Sequence, residues 1–195
     1  MFLRLAAGSV VLLVLGACSD APEPLATPET PDAVVPDLTK SEAFIDAFYS
    51  FDPDRLRPML VAAPESAQSI LYYQGWAEGG NYKVLQRGAC AVDENDLISC
   101  PITVQDDPVL ALNTGFNVTD TFTLTFADGE IVKVETSSND QPIYYEARAW
   151  VEREMPEVMT GPCKDRGAGG TTPGDCARAM TEGYRRFAAS DAYSL

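Results

Sequence analysis

Hydrophobic positions along the chain fall into three regimes. From Leu5 to Leu15 the run is apolar, broken only by Ala, Gly and Ser, with Arg4 as the single charge before it. A bilayer span needs roughly 20 apolar residues, so this run has the length and order of a secretory signal instead. Ser19 to Pro36 then carries Pro22, Pro24, Pro28, Pro31 and Pro36 among Asp20, Glu23, Glu29 and Asp32. Too little apolar surface is present to offset ordering entropy, and the sequence predicts an extended tether over residues 18–38.

Periodicity begins at Thr39-Lys40-Ser41-Glu42, which fits a capping box at the start of a helix. Phe44, Ile45, Phe48 and Tyr49 follow at helical spacing and give it one apolar face. Asp52-Pro53 restarts a helix with Asp as cap and Pro in its first turn, and Pro58 distorts it. After Pro64 a third helix carries Ile70, Tyr73 and Ala77 on one side, with Tyr72 and Trp76 beside them, until Gly79-Gly80 stops it.

The period then switches to two. Lys83 to Val92 and Leu97 to Gln105 read as strands around the turn Asp93-Glu94-Asn95-Asp96. Phe122, Leu124 and Phe126 alternate with Thr121, Thr123 and Thr125, Asp128-Gly129 makes a tight turn, and Ile131, Val132 and Val134 return. Helical spacing resumes at Pro142, with Ile143, Ala147, Trp150 and Val151 on one face and Pro156 at its end. A last helix, capped by Asp175, carries Met180, Tyr184, Phe187 and Ala188 as a stripe. The fold class expected is α+β: N-terminal helices packed on an antiparallel sheet over residues 39–138, then a helical extension over 139–195.

Cysteine placement changes the picture of compartment. Leu15-Gly16-Ala17-Cys18 resembles the bacterial lipobox, which implies a signal peptide at 1–17 and a lipidated Cys18 as mature N-terminus. By the sorting rule that accompanies this resemblance, Ser19 favours the outer membrane over the inner. Four cysteines remain, Cys90, Cys100, Cys163 and Cys176, an even number that suggests two disulfides outside the cytoplasm; four cysteines permit three pairings. Strand pairing centred on Asn95 sets Cys90 opposite Cys100, and Cys163 and Cys176 flank a run rich in Gly, Thr and Pro, so the local pairing is expected.

Charge and composition act mainly by exclusion. With 29 acidic against 14 basic side chains, the formal charge of −15 argues against a nucleic-acid partner. There is no histidine, which removes Ser-His-Asp and Cys-His catalysis, an imidazole base and His-ligated zinc. Neither a CxxC pair nor a phosphate-binding glycine loop is present, so no metal or cofactor is expected.

Helix, turn, helix, then antiparallel strands closing in a D-G-x-I-V hairpin resembles the NTF2-like (SnoaL-type) superfamily across Ser41 to Ser138. Phe44 to Leu60 is similar to the family's opening helix pair and Phe122 to Val134 to its closing hairpin. The resemblance implies a curved sheet wrapped against helices as a cone with an apolar pocket, and about 57 residues here extend beyond the family's usual end.

Three classes of function stay open. The first is an envelope lipoprotein that binds a small apolar ligand without catalysis, with Phe44, Phe48, Tyr72, Trp76 and Tyr82 as candidate pocket residues. The second is a His-independent isomerase or lyase of the kind the resemblance implies, with Asp46 as base and Tyr72 or Tyr73 as donor; a surface salt bridge explains Asp46 equally well. The third is a module held at the membrane by its lipid that meets an envelope protein through its acidic, disulfide-locked C-terminal region.

Overall fold

The computed structural model describes residues 38–164 and 173–194, which lie within one compact unit. Cys18, the signal and the tether up to residue 37 lie outside the described residues, and Leu38, expected to end the tether, instead opens the first helix. Helix α1 (Leu38–Phe48) sets Phe44, Ile45, Ala47 and Phe48 inward. Thr39 falls within its first turn, so the helix begins earlier than the capping box predicts. Helix α2 (Pro53–Leu56) starts as expected: the Asp52 carboxylate accepts the Asp54 N–H at 2.9 Å, and Pro53 occupies a position that needs no donor. Pro58 tightens the continuation into a 3-10 turn, Arg57–Leu60. Helix α3 (Pro64–Gly79) ends at the predicted glycine pair.

The sheet is antiparallel and open. Its strands are β1 (Lys83–Arg87), β2 (Ala91–Val92), β3 (Ile98–Gln105), β4 (Val118–Ala127) and β5 (Glu130–Ser138), in the order β1-β3-β4-β5, with β2 also pairing β3. Ala91 faces Ser99 and Val92 faces Ile98, the register centred on Asn95. Asp93 Oδ1 accepts the N–H groups of Asn95 and Leu97 and so shapes that turn. Asp128 and Gly129 both have positive φ (51° and 74°), as a two-residue hairpin turn of the primed type requires. Between β3 and β4 lies a short helix, α4 (Asp107–Leu110), that periodicity does not signal.

Helices α5 (Pro142–Glu154), α6 (Pro156–Thr160) and α7 (Pro173–Ala188) follow the sheet. Asp175 sits in the first turn of α7, not at its cap, because Pro173 takes the start. Both disulfides have the expected pairing, with Cα–Cα separations of 4.2 Å for Cys90–Cys100 and 4.6 Å for Cys163–Cys176. Residues 165–172, most of the loop between the second pair, lie outside the described residues.

Two apolar clusters result. The first joins α1, α2 and α3 to the inner face of β3, β4 and β5 through Phe44, Phe48, Leu56, Ile102, Phe122 and Leu124. The second gathers Ile143, Ala147, Val151, Met180, Tyr184 and Phe187 from α5 and α7. Helix α3 serves both: Ile70 and Ala77 belong to the first, and Trp76 packs against the second. That double duty needs close approach to α7. A Cβ on Gly79 would lie 2.3 Å from the Gly174 backbone, so only glycine permits this crossing.

Candidate functional site

Where the two clusters meet, the packing opens into a cleft of about 540 Å³. Helix α3 presents Tyr72, Tyr73 and Trp76 to it, residues whose spacing puts them on neighbouring faces of one helical turn. Tyr82 follows from the chain just past α3, where its N–H donates to the Ala77 carbonyl at 3.0 Å. Strand β4 contributes Val118 and Asp120, and Thr136 to Ser138 at the end of β5 form a polar rim with Asp140. Tyr144, Tyr145 and Arg148 from α5 and Tyr184 from α7 close the far wall.

Asp120 is the chemical centre. Along β4 the buried side chains are Val118, Asp120, Phe122 and Leu124, so the carboxylate occupies an inward-facing position and is 2% exposed. The Tyr49 hydroxyl donates to its Oδ2 at 3.4 Å, and the Tyr73 hydroxyl also donates to it. Burial pushes its pKa up to about 6; the two tyrosine donors oppose that shift and nearby Asp140 adds to it. The tyrosines respond in the same sense: burial chiefly, and then Asp120 for Tyr49, Tyr82 followed by Asp120 for Tyr73, and Asp106 with Asp120 for Tyr82, raise their pKa values above the ordinary phenol range. They remain hydrogen-bond donors throughout the neutral range.

A second buried carboxylate stands nearby. Asp106 caps α4, its Oδ1 accepting the Val109 N–H at 2.8 Å, while its Oδ2 is buried with no hydrogen-bond partner. Burial is the main cause that pushes Asp106 up to about 7, with Asp120, Asp140 and Asp107 adding and the Val109 N–H opposing. A half-satisfied buried acid costs stability, and such groups concentrate at functional sites.

No protein-family model, curated protein or solved structure matches this chain.

Of the five aromatic residues named from the sequence, the structure brings Tyr72, Trp76 and Tyr82 to the cleft. Phe44 and Phe48 are instead fully buried in the first cluster, where their rings meet Phe122 at centroid distances of 6.0 and 4.7 Å. Asp46 points away from the cleft. On the outer face of α1 it pairs with Arg87 of β1, whose guanidinium also holds Glu42 at 2.5 Å. Glu42 Oε1 in turn accepts the Cys90 N–H at 2.7 Å, so this cluster fastens α1 to the disulfide-bridged edge of the sheet.

Asp120, Asp106, Asp140 and Tyr144 are not signalled by periodicity or composition taken as wholes, and periodicity places Tyr184 on the apolar stripe of its helix without pointing to a cleft. For Asp120 a signal exists: it interrupts an apolar series while keeping its phase. Among the described residues, no group of three or more Cys, Asp or Glu side chains is disposed to hold a metal. No helix among them is long and apolar enough to cross a membrane.

Proposed function

We propose that this domain binds a small organic molecule in the cleft between α3, the ends of β4 and β5, and α5, without transforming it. The carrying observation is Asp120: a buried carboxylate, supported by tyrosine donors, at the wall of a cavity large enough for a drug-sized ligand. A residue kept only for packing in that phase of β4 would be apolar, as its neighbours Val118 and Phe122 are. The helices-then-sheet order and the Asp128-Gly129 hairpin support the NTF2-like reading, in which a pocket opens between helices and sheet.

We further propose that the domain works outside the cytoplasm, carried by lipid on Cys18 at the end of the Pro-rich tether, with the outer membrane favoured by Ser19. The two disulfides support an oxidising compartment. Palmitate labelling that survives in the wild type and disappears in Cys18→Ser tests the anchor. Native mass spectrometry of protein isolated from its own envelope tests the cleft: a stoichiometric small molecule, lost on denaturation, is the expected result. Protein that is reproducibly ligand-free, in material that retains its disulfides, overturns the binding reading.

One observation favours a second reading. Asp120 titrates near neutrality beside Tyr73 and Tyr82, the combination a His-free acid–base catalyst needs. In that reading Asp120, not Asp46, is the base. Turnover of the co-isolated molecule, lost in Asp120→Asn, distinguishes it from binding alone.

A further inference from the structure

We infer that the cleft selects an organic cation: a ligand with a quaternary or protonated amine, its charge set against Asp120 and its alkyl surface against the tyrosine and tryptophan walls. The inference rests on the binding reading of the same cleft and goes on to name the ligand class.

The negative charge of Asp120 is not matched within the cleft. Asp120 has two phenolic donors, yet among the described residues no Lys or Arg pairs with it. Removing a carboxylate from water is costly unless an opposite charge or strong donors compensate it, and two hydroxyls compensate only in part. Asp140 adds a second negative group at the rim. Among the described residues lining the cleft, Arg148 is the one basic side chain, and its Nε is engaged by Glu152 at 3.2 Å, one turn along the same helix. The balance inside the cleft is therefore negative.

The walls fit the same ligand. Tyr73 and Tyr82 meet edge to face at 6.3 Å, and Tyr144 and Tyr184 at 5.3 Å, and Trp76, packed against the second cluster, lines the same cleft. Aromatic faces carry negative electrostatic potential and attract alkylammonium groups, most strongly where water is excluded. An anion would meet Asp120 and Asp140 with like charge, and a neutral apolar molecule would cover Asp120 without satisfying it. The chain's formal charge of −15 adds a long-range field of the favourable sign.

Choline and 3,3-dimethylbutan-1-ol have the same shape and differ by a quaternary nitrogen in place of a carbon, so the pair isolates charge. Each carries nine equivalent methyl protons, and titration of the full chain can be followed on that signal by ligand-observed NMR. The expected result is binding of choline about tenfold tighter than its neutral isostere, a ratio typical of a partly desolvated cation–aromatic and carboxylate contact. Asp120→Asn should abolish the preference.

Equal affinities, or tighter binding of the alcohol, overturn the cation inference and leave a binding cleft in place. No binding of either probe also overturns it, while the envelope isolation described above still decides the binding reading independently. If Asp120→Asn loses its fold by circular dichroism, wild-type protein at pH 5 and pH 8 replaces it, since choline's nitrogen does not titrate. The groups facing Asp120 are Tyr49 beyond α1, Tyr73 on α3, Tyr82, Asp106, Asp140, and Tyr144 and Arg148 on α5. The tyrosines keep their protons over this range. A preference that persists unchanged at pH 5 overturns the assignment to Asp120.

Discussion

The two ends of strand β4 use one binary pattern for opposite purposes. Toward its C-terminal end, Phe122 and Leu124 point inward and are fully buried, meeting Phe44, Phe48 and Leu56 in a filled cluster. Toward its N-terminal end, Val118 and Asp120 hold the same phase, yet the space before them stays open as the cleft. The aromatic residues change in step. Phe44 and Phe48 meet Phe122 with bare rings, whereas Tyr49 and Tyr73, whose rings also meet Phe122, carry hydroxyls that donate to Asp120, so the rings shared with the carboxylate are the ones that bring a polar group. A core is thus converted to a site by placing one acid in register and matching the rings to it.

The filled end should be the one that stability depends on. Phe122 contacts Phe44, Phe48, Tyr49 and Tyr73, with centroid distances between 4.7 and 6.2 Å. Truncation to Phe122→Ala leaves a cavity that this rigid helix-on-sheet packing cannot close, and a loss of about 4 kcal/mol is expected. Urea unfolding monitored by circular dichroism measures it. A loss below about 1 kcal/mol would show that the cluster relaxes, and the contrast between the two ends would fail.

This contrast was only half legible in the sequence. Local chemistry was enough for the filled end: alternation fixes which β4 residues face inward, Asp128-Gly129 supplies the two positive-φ residues of its hairpin, and the Asn95-centred turn aligns Cys90 with Cys100. The open end depends on residues brought from far along the chain. Tyr144 and Tyr184 reach the cleft because α5 and α7 fold back across α3, an arrangement made possible by the Gly79–Gly174 approach and not signalled by periodicity. Helical spacing places Phe44 and Phe48 on the same kind of apolar face whether they line a pocket or fill a core, so the two outcomes look alike in sequence. Asp120 was readable in principle, as a charge occupying an inward phase.

The open end should reveal itself through pH. Burial raises the folded-state pKa values of Asp106 and Asp120 to about 7 and about 6, well above the ordinary carboxylate range. Below about pH 3 both are largely protonated, folded or unfolded, and neither penalises folding. As pH rises through this window, the unfolded chain releases protons that the folded state retains, so stability falls until about pH 7 and then levels. Relative to its own values at acid pH, the wild type should lose stability toward pH 8. Asp106→Asn preserves the Oδ1 cap on Val109 and removes the charge, so it should cancel part of that loss, on the order of 3 kcal/mol between pH 4 and pH 8. Urea midpoints at the two pH values give the comparison. Parallel profiles for wild type and variant would mean that Asp106 is not carrying a buried charge.

The smallest effect belongs to Asp46, and it sharpens the contrast from outside. Its carboxylate is 60% exposed and pairs with Arg87, which keeps Glu42 as a second partner when Asp46 is lost. An exposed ion pair of this kind contributes little, because water and salt screen it and ordering long side chains offsets the attraction. Asp46→Asn should therefore cost less than about 1 kcal/mol, and the cost should shrink further in high salt. Neither choline affinity nor any turnover should change, since α1 turns this side chain away from the cleft. If the variant instead lost ligand binding in proportion to Asp120→Asn, charge on the outer face of α1 would be coupled to the site, and the assignment of Asp120 as its centre would have to be divided between the two carboxylates.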